Sequence, residues 1–237
     1  MNEIHIIIPV KDSIDSAEET LRAIAGSNIC IAHTVTVYND NSTPENTERL
    51  TALCKSLDIS IVNLSELTTH PSPNYLFVLR RCQKQCLAHN AGLLIVESDV
   101  TVRPDTLQGL VDGALERPDC GIAASVTVDD NGKVNYPYGY AARWSGVVDS
   151  KKHCSFCCSL LTPALLNVFD FDALNPEKNW FDVAISHKSL KAGLHNYLFT
   201  TLPVTHHPHS SRPWKLLKYK NPLLYYLKKH TKGLDKI

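Results

Sequence analysis

Short apolar runs alternate with amphipathic segments along the first half of the chain. The first run, residues 4–10, is dominated by isoleucine and valine and has the composition of a buried strand. Similar runs predict three further strands, at 34–38, 59–64 and 93–97. Between the runs, apolar side chains recur at helical spacing, which predicts helices over roughly 16–26, 43–57, 75–89 and 104–115.

Some helix starts and stops are also visible in the sequence. Ser16 and Glu19 have the spacing of a capping box, and Gly26 is suited to end the helix that they begin. Thr43 and Pro44 have the residue types expected of an N-cap and of the first helical position.

This strand–helix order predicts an α/β fold with a Rossmann-like, mostly parallel sheet covered by helices on both faces. Ligands of such sheets bind beyond the carboxyl ends of the strands, so the loops after Val10, Tyr38 and Val96 are the first candidates. The second half of the chain is mixed. An Asp-Asn-Gly turn at 130–132 predicts a hairpin, and a last strand at 197–202 leads into a histidine-rich segment.

Charge is balanced overall but uneven along the chain. The 24 basic residues equal the 24 acidic ones, which argues against a nucleic-acid partner. Residues 212–237 hold eight Lys or Arg and one Asp, a local charge of 8 − 1 = +7, with Leu, Tyr and Trp between them. That tail suits a basic amphipathic helix on an anionic membrane surface, and a helix docked on the sheet is the alternative.

The sequence has no apolar run of the roughly 18 residues that span a bilayer, and no signal peptide precedes the first strand. We therefore expect a cytoplasmic protein, peripheral on the inner face of the membrane if the tail binds lipid. The eight cysteines are expected to be reduced. Cys154, Cys157 and Cys158 are the densest group. A zinc site there is less favoured because no second CxxC pair follows at ribbon spacing.

Acidic residues follow two of the predicted strands. Asp40 follows the second strand, where it would contact a nucleotide or form an Asx turn that caps the next helix. Glu97 and Asp99 lie at the end of a buried run, where two carboxylates are costly unless something pairs with them. A bound Mg²⁺ or Mn²⁺ would pair with the two carboxylates and would also bind a diphosphate. The alternative to a metal site is a solvated turn.

Two further groups extend this set of candidates. His206 and His207 follow the last strand, where an imidazole would complete a metal shell or lie in a surface loop. Asp182 follows Trp180 and Phe181 at a predicted helix start. Asp182 is then either a simple helix cap that the helix dipole stabilises, or a general base whose carboxylate the same dipole keeps ionised.

The order and spacing of these elements resemble the family 2 glycosyltransferases, which have the glycosyltransferase-A fold. The resemblance covers roughly residues 4–211. It rests first on the opening strand, IIIPV at 6–10. The segment VYNDNST at 37–43 resembles the nucleotide-binding VDDGST motif. The segment ESD at 97–99, with Pro104, Asp105 and Leu107, resembles the metal-binding DxD…P..L motif. It also rests on WFDVAI at 180–185 with KAG at 191–193, which resembles EDVDL…R..AG, and on VTHH at 204–207 with Ser210 and Ser211, which resembles v.HH…S.

The resemblance implies an inverting, metal-dependent transfer of sugar from a nucleotide-sugar donor, by default a UDP-sugar. The implied acceptor is a saccharide or lipid-linked hydroxyl in cell-surface polysaccharide or lipopolysaccharide synthesis. A catalytic domain would span 1–211, with a nucleotide-binding half at 1–103 and an acceptor-binding half at 104–211 that contains a smaller mixed sheet. The basic helical tail would span 212–237.

Roles follow from position in the family's motifs. The nucleotide pocket would be formed by Pro9, Val10, Asp12, Asp40, Arg80, Arg81, Glu97 and Ser98. Asp99, together with His206 or His207, would bind Mn²⁺ or Mg²⁺, and Asp182 would be the general base. The acceptor would contact Trp144, Trp180 and Phe181. The other aromatic residues of 134–155 would form an acceptor wall or lid, or would pack into the core.

The sequence also departs from the family's pattern. Glu97 stands where the metal motif has its first Asp, and Asn39 stands where the nucleotide turn has its first Asp. These departures keep a non-catalytic nucleotide-sugar scaffold open as an alternative. A sugar nucleotidyltransferase is the other alternative, but residues 9–13 contain no glycine where that class has a Gly-rich loop.

Overall fold

The computed structural model describes residues 1–177, 180–207 and 221–231. The strands are β1 Glu3–Val10, β2 Ala32–Asn39, β3 Ser60–Asn63, β4 Gly92–Val96, β5 Val100–Thr101, β6 Cys120–Val128, β7 Val147–Ser150, β8 Cys158–Leu161 and β9 His195–His206. The helices are α1 Ile14–Ala25, α2 Pro44–Ser56, α3 Tyr75–His89, α4 Thr106–Leu115, α5 Pro163–Val168, α6 Phe181–Lys191 and α7 Pro222–Thr231.

The described strands form one nine-stranded sheet in the order β3-β2-β1-β4-β8-β6-β9-β5, and β7 also pairs with β9. The first four strands pair in parallel, as do β6 and β9. However, β8 lies antiparallel between β4 and β6, and β5 and β7 are antiparallel to β9. The sheet is therefore mixed, which corrects the expectation of a mostly parallel sheet. The strands expected to form a separate smaller sheet belong to the same sheet, because β8 joins the two halves.

Helices cover both faces of the sheet, as the sequence predicts. Side chains alternate along β1, so Ile6 and Ile8 pack with α1, α2 and α4, whereas Ile7 packs with α3, α5 and α6. All three isoleucines are at most 1% exposed. The apolar run of β1 has no polar face because both of its faces are buried.

The expected helix starts are confirmed for α2 and wrong for α1. The Thr43 hydroxyl accepts a hydrogen bond from Asn46 N, so Thr43 caps α2 as expected. Helix α1 begins at Ile14, with Ser13 at its N-cap. The predicted capping box therefore does not form, and the Ser16 hydroxyl instead donates to Ser13 O.

The basic tail is described only in part. Residues 221–231 contain α7, while 208–220 and 232–237 lie outside the described residues. Tyr225 of α7 is 7% exposed, whereas Leu223 is 85% and Leu227 is 60% exposed. Among the described residues, no helix combines the length and the apolar composition needed to cross a membrane.

Candidate active site

Strand register brings four side chains together at the carboxyl end of β4. The β4–β8 ladder sets Glu97 beside Cys157, and Glu97 N donates to Cys157 O at 2.9 Å. The β5–β9 ladder pairs Val100 with His206, which sets the preceding Asp99 beside the same histidine. Residues from three distant parts of the sequence therefore meet at one edge of the sheet.

These four side chains form a compact and mostly buried cluster. The Sγ of Cys157 lies 3.3 Å from Oε2 of Glu97 and 4.0 Å from Nε2 of His206. The same Nε2 lies 3.6 Å from Oδ2 of Asp99. Cys157, Asp99 and His206 are each less than a tenth exposed. The carboxyl group of Glu97, the thiol of Cys157 and the imidazole of His206 make a set of metal-ligand types, and the carboxyl group of Asp99 lies next to the imidazole.

The orientation of His206 is fixed by a backbone oxygen. Its Nδ1 lies 2.8 Å from Tyr136 O, which can only accept, so we assign the hydrogen to Nδ1 and direct Nε2 toward Asp99. Burial opposes protonation of His206, but the hydrogen bond and negative charge of Asp99 outweigh it and raise the pKa of His206. The neighbouring His207 points elsewhere, with its Nε2 3.6 Å from Asp130. Of these two predicted ligands, His206 lies in the cluster and His207 lies outside it.

The turn that resembles the nucleotide-binding motif is held by its own neighbours. The Asp40 carboxylate accepts hydrogen bonds from Ser72 Oγ at 2.7 Å, from Asn74 N at 2.8 Å and from Asn74 Nδ2 at 2.7 Å. Asn74 directly precedes α3. Asp40 therefore ties the end of β2 to the start of α3, and its carboxylate is engaged within the protein.

Asn39 and Asp12 hold the loops on either side of this turn. Asn39 is 3% exposed and donates through Nδ2 to Asn63 Oδ1 at 3.0 Å, a bond that an ionised Asp at this position could not donate. Asp12 has a left-handed backbone (φ 53°), and its Oδ1 accepts from Thr43 N at 2.7 Å. That backbone hydrogen bond lowers the pKa of Asp12 below the usual aspartate value.

Pro9, Val10 and Ser98 lie between these loops and the buried cluster. Val10 is 2% exposed, and its carbonyl oxygen accepts from Asp40 N at 2.8 Å. Pro9 is partly buried in β1. The Ser98 hydroxyl lies 3.2 Å from that of Ser13, which joins the turn after β4 to the start of α1.

The two arginines predicted to line the nucleotide pocket face different surroundings. Arg80 donates to the carbonyl oxygens of Phe171, Asp172 and Leu174 at 3.0–3.1 Å, and it pairs with the Asp172 carboxylate at 3.3 Å. Arg81 lines a groove of about 300 Å³ between α3 and the face of β1, β2 and β3. The two side chains differ because successive residues of α3 point in directions about 100° apart. Neither is among the groups around His206.

Asp182 lies half-buried in the first turn of α6, and its Oδ1 accepts from Val183 N at 2.9 Å. A helix N-terminus favours an ionised carboxylate. Tyr136 is close to both Asp182 and the metal-ligand cluster. Although 51% of Tyr136 is exposed, desolvation of its hydroxyl, followed by the charges of Asp182 and more weakly Glu97, raises its pKa to about 12.

The predicted acceptor-binding aromatics differ in exposure. Phe181 is 7% exposed and belongs to the core, while Trp180 is half-buried at the N-cap of α6. Trp144 is half-buried, with its ring edge-on to Tyr140 at 5.4 Å. Tyr138 is fully buried, so for this residue the alternative of packing into the core is the correct one.

Two members of the site were not predicted from the sequence. One is Cys157 among the metal-ligand groups, and the other is Tyr136 as the partner of His206. Within its cysteine-rich segment, Cys157 and Cys158 belong to the core layer of α1 and Cys154 to that of α3, and the Cys157 thiol alone contacts Glu97. Cys157 directly precedes the strand that pairs with β4. Recognition of 158–161 as a neighbour of β4 would have placed this thiol next to Glu97.

No protein-family model and no curated protein matches the sequence. Solved structures share the fold. Mannosyltransferase PcManGT from Pyrobaculum calidifontis, in complex with GDP-Man and Mn²⁺, matches with a TM-score of 0.63 and 14% identity over 96% of this chain and 64% of its own. TarS 1-349 from S. aureus, in complex with UDP-GlcNAc, matches with a TM-score of 0.64 and 15% identity over 92% of this chain and 65% of its own.

These likenesses cover nearly the whole chain, but the chain spans just under two thirds of the length of either protein. At such low identity they establish the fold and not the reaction. The fold implied by the ordered motifs is confirmed: the chain has the glycosyltransferase-A fold found in PcManGT and TarS.

Proposed function

We propose that the chain is an inverting glycosyltransferase that moves a sugar from a nucleoside diphosphate to an acceptor hydroxyl with the help of a divalent cation. The observation that carries this proposal is the mostly buried group of Glu97, Cys157 and His206 at the carboxyl end of β4, with Asp99 beside His206. It lies in the fold that PcManGT uses in its complex with GDP-Man and Mn²⁺.

The donor set fits a divalent cation. Asp99 and Glu97 offer carboxylate oxygens, and His206 offers Nε2 because its Nδ1 is held by the Tyr136 carbonyl. We assign Asp99 and His206 as ligands of Mn²⁺ or Mg²⁺, with Glu97 on the nucleotide side. Such an ion, when bound, offsets the negative charge that develops on a departing diphosphate.

The nucleotide is assigned to the loops that follow β1 and β2. Pro9, Val10 and Asp12 would line its pocket, and Ser98 lies at the border with the metal ligands. We assign Asp40 an ordering role, because its carboxylate already binds Ser72 and Asn74. A UDP-sugar is the default donor, and GDP-Man in PcManGT makes a GDP-sugar the second choice.

Asp182 is the proposed general base. Its carboxylate would take the proton of the acceptor hydroxyl while that oxygen attacks the anomeric carbon. The bond from this carbon to the diphosphate oxygen breaks on the opposite face, so the anomeric configuration inverts. Trp180 would place an aromatic surface beside the acceptor, with Phe181 fixing the start of α6 in the core.

The acceptor is proposed to be a saccharide or a lipid-linked hydroxyl of cell-surface polysaccharide or lipopolysaccharide synthesis. Exposed Leu223, Tyr226 and Leu227 recur at helical spacing on α7, which forms an apolar stripe. With the basic residues of 212–237, this stripe supports contact with an anionic membrane.

Thermal unfolding with UDP, GDP, dTDP, CMP and ADP, each with and without Mn²⁺, tests donor binding. One nucleotide should raise stability only with the metal, by about 2.7 kcal/mol at a hundredfold excess over Kd. Asp99→Ala should abolish that rise. A nucleotide effect that is independent of metal and unchanged in Asp99→Ala contradicts the assigned site.

Sugar transfer separates an enzyme from a nucleotide-sugar scaffold. With the donor that the unfolding assay identifies, Asp182→Asn should lose transfer but keep metal-dependent donor binding, because the base does not hold the nucleotide. Asp172→Asn is a matched control, since this carboxylate pairs with Arg80 and Lys84 away from the cluster. Full activity of Asp182→Asn would show that the base is assigned wrongly.

A further inference from the structure

The metal-ligand cluster contains a thiol, which is an unusual group beside two carboxylates and an imidazole. Cys157 is 2% exposed, and its Sγ donates to Oε2 of Glu97 at 3.3 Å. Hard cations such as Mg²⁺ prefer oxygen ligands, whereas thiolate sulfur favours softer ions such as Zn²⁺. The thiol therefore bears on which ion the site selects.

The spacing of Glu97, Cys157 and His206 fits a single ion, and Asp99 lies beside His206. A tetrahedral ion with sulfur at about 2.3 Å and nitrogen or oxygen at about 2.1 Å holds its donor atoms about 3.5 Å apart. Here Cys157 Sγ and Glu97 Oε2 are separated by 3.3 Å, His206 Nε2 and Asp99 Oδ2 by 3.6 Å, and Sγ and Nε2 by 4.0 Å. The ligand atoms of Glu97, Cys157 and His206 all lie within 4.8 Å of one another, and Asp99 adjoins this group through His206.

Bonds behind the ligand atoms hold these side chains in place. Nδ1 of His206 is fixed by Tyr136 O at 2.8 Å. The Ser155 hydroxyl lies 3.2 Å from the Cys157 thiol and accepts from Cys157 N at 3.4 Å. Such outer contacts orient metal ligands before the ion arrives.

We propose that Cys157 is a metal ligand, as a thiolate, together with Glu97, Asp99 and His206, and that this site therefore binds Zn²⁺ or Co²⁺ in preference to Mg²⁺. This inference rests on the metal site of the proposed function, to whose ligands Asp99 and His206 it adds Cys157 and Glu97. Coordination forms a metal–sulfur bond and breaks the S–H bond, and the thiol proton is released to solvent.

Cobalt absorption tests the ligand directly, without any activity assay. The full-length protein with one equivalent of Co²⁺ should show visible d–d bands and a near-ultraviolet thiolate-to-cobalt charge-transfer band. Cys157→Ser should keep the d–d bands and lose the charge-transfer band. It should also weaken Zn²⁺ binding by at least about tenfold, the smallest loss typical even of outer-shell changes, with little effect on Mg²⁺.

Two other thiols serve as matched controls. Cys154→Ser changes a buried thiol that is not among the metal-ligand groups, and Cys30→Ser changes an exposed one. Both should keep the charge-transfer band. A band that persists in Cys157→Ser, or that disappears in Cys30→Ser, overturns the proposal.

Zinc-edge X-ray absorption on the wild-type protein keeps the proposal testable if Cys157→Ser does not fold. It should detect one sulfur neighbour at about 2.3 Å and the remaining neighbours as nitrogen or oxygen. A shell of nitrogen and oxygen alone overturns the sulfur ligand. It leaves the proposed function standing, because that function is judged separately by transfer that depends on Asp182.

Discussion

Removal of the Asp40 carboxylate distinguishes an ordering role from direct contact with a nucleotide. In Asp40→Ala, Ser72 Oγ, Asn74 N and Asn74 Nδ2 lose their shared acceptor. Hydrogen bonds to a charged group contribute about 1.5–3 kcal/mol when measured singly. Because three bonds share one partly exposed carboxylate, their sum is not additive, and we expect a total loss of about 3 kcal/mol in the free energy of unfolding.

Urea unfolding measures this loss as a lower midpoint at an unchanged m value. Hydrogen exchange should also accelerate at the Asn74 amide, because the start of α3 loses its link to β2. Asp15→Ala is the matched control: this carboxylate is 89% exposed and pairs with Arg49, so its removal should change stability by less than about 0.5 kcal/mol.

The refuting result combines two measurements. If Asp40→Ala unfolds at the wild-type urea concentration and yet loses nucleotide binding, the carboxylate contacts the ligand and the hydrogen bonds to Ser72 and Asn74 contribute little. If it loses stability and also binds nucleotide more weakly, restoring the fold with a stabilising osmolyte should restore binding. Failure of that rescue would likewise contradict an ordering role.

Three further changes test other parts of the fold by urea unfolding. Gln83→Leu should lower the free energy of unfolding by about 3 kcal/mol. The side-chain amide is 3% exposed, donates to two carbonyl oxygens and accepts from one backbone N–H around the end of α5. A loss under about 1 kcal/mol contradicts this expectation. Gly113→Ala should destabilise α4 despite the better helix propensity of alanine, because the new Cβ meets the Phe199 ring; Gly139→Ala, which meets open space, should not. Asp12→Asn should lower the free energy of unfolding by under about 1 kcal/mol at neutral pH. This difference from the wild type should vanish as the pH falls below about 4, through the lowered pKa of Asp12. A difference that is independent of pH contradicts a stabilising role of the ionised Asp12 carboxylate.

The first half of the fold follows from local pattern, and the second half does not. Strands β1 and β4 place buried apolar residues on both faces, and the predicted helix at 75–89 has the same bounds as α3. In contrast, β5 has two residues and β7 has four, which is too short for a periodicity. Their direction is decided by pairing with β9, a contact between distant residues that a local pattern does not contain.

The candidate site shows the same division. The strand ends identify Glu97 and Asp99, because a carboxylate after a buried strand is conspicuous in any sequence. Position in a motif could not separate His206 from His207, since only the β5–β9 pairing decides which imidazole turns toward Asp99. Position in a motif also could not show that the Arg80 guanidinium donates hydrogen bonds to backbone carbonyl oxygens.

The two departures from the motifs that the sequence resembles have local partners in the structure. Asn39 donates to Asn63, so the amide that replaces a carboxylate is used in joining β2 to β3. Glu97 has one methylene more than Asp, about 1.5 Å of extra reach, and its Oε2 lies beside the Cys157 thiol across the β4–β8 ladder. Each new group therefore has a specific contact in the structure, and of the two only Glu97 lies among the groups proposed to bind an ion.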